Sequence, residues 1–112
     1  MARLATSLFA NALLRAVHAR GGTGAVLRKG DPSSGALLLI CAEKGQITGL
    51  YDYVLDSSGH YSLASLTPRT VESDEAVQAL CVRRQRFDPD LWIVELDIPN
   101  AERFIADFTM RD

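Results

Sequence analysis

The amino-acid sequence predicts an α+β fold: one antiparallel sheet of about five strands, with an N-terminal helix and a second helix packed on it as a second layer. A short C-terminal helix completes it. Three observations point there. Residues 3–20 and 74–87 carry apolar positions at helical spacing. The run Ala36–Ala42 is apolar on both faces. The stretches around it alternate with period two and are punctuated by Gly, Pro, Asp and Ser. A chain of 112 residues suits a single α+β domain over 1–112.

Composition narrows the function classes before any motif is considered. An apolar fraction of 47% and a charged fraction of 23% are those of an ordinary soluble globular chain, long enough to bury a core without staples. A formal net charge of −2 gives no drive toward nucleic acid or an anionic membrane. No apolar run approaches the ~20 residues that span a bilayer. The first 30 residues hold no acid and five bases, Arg3, Arg15, Arg20, Arg28 and Lys29, as a targeting segment does. Thr6, Ser7 and Asn11 interrupt the apolar region that a secretory signal needs, so the expected location is cytoplasmic.

Residues 3–20 read as an amphipathic helix in which Leu4, Leu8, Phe9, Ala12, Leu13, Ala16 and Val17 make one stripe. Gly21-Gly22 ends it, and Arg15, His18 and Arg20 suit the negative end of its dipole. Gly22–Ala42 reads as a hairpin. Ala25-Val26-Leu27 is its first strand, Arg28–Gly35 an exposed turn preset by Asp31-Pro32, and Ala36–Ala42 its second strand. A strand apolar on both faces belongs in the middle of a covered sheet. In Ile47–Leu55, Ile47, Tyr51, Tyr53 and Leu55 point one way and Thr48, Leu50, Asp52 and Val54 the other. Asp56-Ser57-Ser58-Gly59 is a hairpin turn, His60–Leu66 its partner strand, and Pro68 closes it. The middle of the chain is thus expected to be a four-strand antiparallel meander.

Ser73 caps a helix over 74–87, with Asp74 and Glu75 in its first turn. Val77, Leu80 and Cys81 form its apolar side, which Phe87 extends, and Asp88-Pro89-Asp90 stops it. Leu91–Ile98 is a fifth strand with Trp92, Val94, Leu96 and Ile98 on one face. After Pro99, Asn100 caps a final helix carrying Phe104, Ile105 and Phe108. A strand over 102–109 is the alternative, since Phe104, Ala106 and Phe108 also alternate.

Two stretches, LRKGDPSSGALLL at 27–39 and RRQRFDPDLWIVELD at 83–97, resemble the signatures of an alphaproteobacterial family, domain of unknown function 1491. The likeness runs over most of the chain. It implies no catalytic assignment.

The turn Arg28–Gly35 is polar enough to suggest a phosphate loop, but it lacks GxxxxGKS/T and GxGxxG, Pro32 removes a donor, and a strand follows instead of a helix. What survives is Arg28 and Lys29 as anion contacts. Arg83, Arg84 and Arg86 with Trp92 are the most pointed cluster, since guanidinium groups pair with phosphate and an indole can stack a base. Against it, arginines in a last helical turn satisfy carbonyls, and Trp92 alternates with core residues. The candidate binding set is therefore Arg28, Lys29, Arg83, Arg84, Arg86 and Trp92.

Nothing selects a catalytic centre, a metal or a cofactor. Cys41 and Cys81 lie among apolar neighbours and read as free core thiols, with a disulfide or a catalytic thiol as the alternatives. His18 and His60 lack metal-ligand spacing. Ser57 and Ser58 beside His60 have no nucleophile elbow. Tyr51, Tyr53 and Tyr61 suit cross-strand packing. Asp52, Asp56, Glu95 and Asp97 are dispersed. A non-enzymatic binding or protein-interaction module is favoured, including a homodimer through a sheet edge or helix face. The alternatives are an anion or nucleotide binder using the arginines, and an enzyme whose site, on Cys41, His60 or the carboxylates, carries no motif.

Overall fold

The structure, a computed structural model, describes residues 5–33, 35–55, 61–66 and 73–109. Its elements are α1 (Thr6–Ala19), β1 (Thr23–Arg28), β2 (Leu37–Glu43), β3 (Gln46–Leu55), β4 (Tyr61–Ser65), α2 (Asp74–Phe87), β5 (Trp92–Asp97) and α3 (Ala101–Thr109). The strands form one sheet in the order β1-β5-β2-β3-β4. β5 runs antiparallel to β1 and parallel to β2, while β2, β3 and β4 pair antiparallel in sequence.

This order corrects the expected meander and its first hairpin. β1 and β2 do not pair, because β5 lies between them. Every residue of β2 but Glu43 is buried, as are Trp92, Ile93, Val94 and Leu96 of β5. Two strands that are apolar on both faces lose most contact with water when they lie side by side in the centre of the sheet. β1, which alternates between exposed and half-buried residues, is left at the edge.

The single helical layer is also corrected. α1 and α3 cover one face, where Leu13 and Val17 meet Leu39, Val94, Leu96, Phe104 and Ile105. α2 covers the other, where Val77 packs with Leu38, Ile40, Leu50 and Ile93. Apolar side chains on both faces of β2 and β5 require cover on both faces. The fold is α+β, with one parallel strand pair in an otherwise antiparallel sheet.

Local details follow from the same logic. In β3, Tyr51 and Tyr53 face α1 while Leu50 faces α2. A bulge opposite Cys41/Ala42 shifts the register, so Ile47 joins Leu50 on the α2 side instead of the tyrosines. Ser73 caps α2 as expected, its hydroxyl accepting from the Ala76 amide at 3.1 Å. Phe87 does not extend the apolar side of α2; it is 83% exposed. Residues 101–109 are helical, and Phe104 donates its amide to the Asn100 carbonyl at 3.0 Å. Asn100 has φ 55, the left-handed region that asparagine tolerates. Leu4, the 56–59 turn, His60 and Pro68 lie outside the described residues.

Candidate functional site

The two signature stretches meet in space. The Asp31 amide donates to the Asp90 carbonyl at 3.0 Å, and the Trp92 amide to the Ala36 carbonyl at 2.8 Å. The Trp92 indole N–H donates to the Asp31 carbonyl at 2.7 Å. Arg28 Nη2 donates to the Pro89 carbonyl at 2.9 Å. The same loop caps α1, whose N-cap, Ala5, has no side chain for the task. Pro32 and Ser33 offer carbonyls to the amides of Ser7 and Thr6, at 3.0 and 3.3 Å, and Thr6 Oγ1 donates to the Gly35 carbonyl at 2.8 Å. The segment expected to be an exposed hairpin turn is thus a clamp joining α1, β2 and the connection from α2 to β5.

The six candidate binding residues divide accordingly. Arg28 and Trp92 belong to this clamp, and Trp92 is 4% exposed. Arg28 keeps a buried Nε with no hydrogen-bond partner among the described residues. Arg84 turns to β3 and grips Asp52 with two bonds, 2.8 and 3.2 Å, across the α2–sheet interface. Lys29, Arg83 and Arg86 are exposed.

A different concavity lies on the α2 face. α2 is anchored toward β3 by Arg84, so the sheet on its other flank is left partly uncovered. There a groove of about 350 Å³ opens. Ile40, Ile93 and Glu95 form its floor, Val77, Cys81 and Val82 of α2 one wall, and Leu27 of β1 lies opposite. Gly45 and Ile47 from the β2–β3 turn also line it. Leu27 and Val82, on its two sides, are 55% and 53% exposed. The charged residues of its lining are both acids, Asp74 and Glu95; the polar remainder is Gln78 and Gln85.

Sequence reasoning missed this groove. Leu27 sits at a bulge between Val26 and Arg28 in the pairing of β1 with β5, a feature invisible before the pairing is known. Val82 was legible as an apolar position off the Val77–Cys81 stripe.

The other candidates have structural employment. The Asp97 carboxylate accepts the amides of Lys44 and Gly45, both at 2.8 Å, and so fixes the β2–β3 turn, whose two residues have φ 54 and 83. Cys41 and Cys81 are free and belong to opposite faces of the sheet, which excludes a disulfide between them. Burial pushes the Cys81 thiol up, and the Arg84 guanidinium pulls it partly back. Tyr51 and Tyr53 are core residues, with the Phe9 ring stacked on Tyr53 at 4.6 Å between centroids. Among the described residues no cluster of His, Cys, Asp and Glu can hold a metal ion, and no helix is long and apolar enough to cross a membrane.

Residues 4–106 match the family model described as "Protein of unknown function (DUF1491)". A solution structure of a protein from A. tumefaciens is 29% identical and superposes with a TM-score of 0.75, covering 88% of this chain and 89% of that one. A crystal structure of a DUF1491 family protein from Caulobacter crescentus CB15 gives 28% identity and a TM-score of 0.73, over 86% and 89% of the two chains. An NMR structure of a DUF1491 family protein from the same organism gives 27% and 0.76, over 89% and 90%. No curated protein matches.

Proposed function

The chain belongs to the DUF1491 family of proteins of unknown function, and we propose that it is a non-enzymatic binding module. Its site is the groove between α2 and the β1–β5 edge. One observation carries this: a concavity of about 350 Å³ floored by Ile40, Ile93 and Glu95 and flanked by exposed Leu27 and Val82. Ligand sites have this size and this composition, an apolar lining with a few polar groups. Burial pushes the groove's thiol, Cys81, up and the Arg84 guanidinium pulls it only partly back, so its surroundings do not activate it as a nucleophile. We place the module, one domain over 1–112, in the cytoplasm, where free thiols persist.

The test is binding of a fluorescent apolar probe. Leu27→Asp and Val82→Asp put charge into the groove at positions that contribute little to the core. Both variants should keep the wild-type urea midpoint and bind the probe at least about fivefold more weakly, a loss of roughly 1 kcal/mol of apolar contact. Unchanged probe affinity in both variants would refute the groove as the site.

A second proposal, an anion or nucleotide contact built on Arg28, Lys29, Arg83 and Arg86, draws support from the unpartnered Nε of Arg28. Phosphate titration followed by the Arg28 Nε–H resonance tests it; a resonance that does not move sinks it.

A further inference from the structure

Taking the groove as the binding site, we infer that its occupant is an extended segment of a partner protein. It adds to β1 as a further strand and sends a lysine or arginine across Ala25 to Glu95. β1 lies at the edge of the sheet, with no described strand beyond it. Edge strands are commonly protected by charged side chains, proline or bulges; β1 has Arg28 and its bulge only at the far end, and residues 23–26 carry none of these. The bulge at Val26/Arg28 confines regular pairing to the first part of the strand, beside the groove. An open edge next to a side-chain pocket is the arrangement that recognises peptides by strand addition.

The side chains give the segment its chemistry. Thr23, Ala25 and Leu27 of β1 are exposed, and Ala25 stands in register with Glu95. Neighbouring strands are ~4.8 Å apart, so an added strand lies roughly 10 Å from β5. A lysine or arginine reaches that far, and only the methyl group of Ala25 stands between. The carboxylate it meets has no basic residue beside it in the groove lining. The next apolar side chain on the same face of the added strand falls against Leu27 and Val82. An acidic segment would face Glu95 and Asp74 as like charges and be rejected. A second copy of this chain fits less well, because its own β1 carries no base between Thr23 and Leu27. A small amphiphilic amine would leave the strand edge unused.

The experiment is an amide-resolved NMR titration with two blocked pentapeptides, Thr-Leu-Thr-Lys-Thr and its analogue with Glu in place of Lys. The lysine peptide should shift the amides of residues 23–27 and 93–95 and bind roughly fivefold more tightly than the glutamate peptide, the worth of one exposed charge pair. Glu95→Gln should abolish that preference, and Ala25→Leu should block both peptides. Equal binding of the two peptides, or no shift in β1, overturns the inference. If the apolar probe still reports Leu27 and Val82 in that event, the groove survives as a site and only its occupant is wrong. β1 shifts that follow protein concentration alone, without peptide, also overturn it, in favour of a second copy.

Discussion

Gly35 does its work by lacking a side chain. A Cβ there would run into the Asp90 carbonyl oxygen and sit 2.9 Å from the Trp92 ring; a Cβ at Gly30 would meet the same carbonyl. A backbone carbonyl in a hydrogen-bonded connection cannot swing aside as a side chain can. Gly35→Ala should therefore push the clamp apart at a cost of about 2 kcal/mol, lowering Tm by about 10 °C in thermal unfolding. The α1 amides of Thr6 and Ser7, which that loop caps, should lose hydrogen-exchange protection in the same variant. Cys41 sets a second expectation. Burial, and secondarily the Glu102 carboxylate, raise its thiol from 9.0 to about 12. Between those values the unfolded chain releases a proton that the folded chain keeps. Stability is therefore unaffected below about pH 9 and falls as pH rises toward 12, by up to about 1.4 kcal/mol per pH unit from this one group. Cys41→Ala should flatten that alkaline slope in urea titrations, whatever it costs in packing at neutral pH.

The helices were the most legible elements, and the reason is local. Ser73, two acids in the first turn, and the Asp88-Pro89-Asp90 stop all lie within or next to α2, whose bounds, Asp74–Phe87, match the expectation. The strand positions were legible for the same reason. Their partners were not, because pairing is decided by segments far apart in the chain: Thr23 meets Asp97 and Leu37 meets Trp92. The expected hairpin rested on adjacency, and the full burial of both β2 and β5 outweighed it. The same distance hid the candidate site. Leu27 and Val82 are unremarkable until α2 and β1 lie on one face of the sheet. Arg84 was noticed as a base, yet its partner Asp52 sits on β3 and could be identified only in space. That two-pronged pair, with side chains 28% and 18% exposed, ties α2 to the sheet. Asp52→Ala should cost about 1–2 kcal/mol by urea denaturation, since it strands a half-buried guanidinium. In a double-mutant cycle, Arg84→Ala should cost little more once Asp52 is gone; additive losses would mean the pair is not coupled.

At the scale of the molecule, a Cα radius of gyration of 13.2 Å is the value a single compact unit of this length has, about 13 Å. The sheet is covered on both faces at its centre and bare on one face at the β1 side, which is where the proposed segment would bind. The strand order also bears on how the chain reaches this state. β5, the last of the described strands in chain order, is the one that separates β1 from β2. On the ribosome, everything up to the end of α2 can emerge while β1 still has no strand to pair with and one whole edge of β2 stands open. The sheet is completed by insertion and not by growth at an edge. Closing contacts between positions as distant as Thr23 and Asp97 carries a large loop-entropy cost. A chain truncated before Trp92 should therefore leave an apolar edge of β2 open and aggregate instead of forming a smaller native sheet, which light scattering of the truncated chain checks.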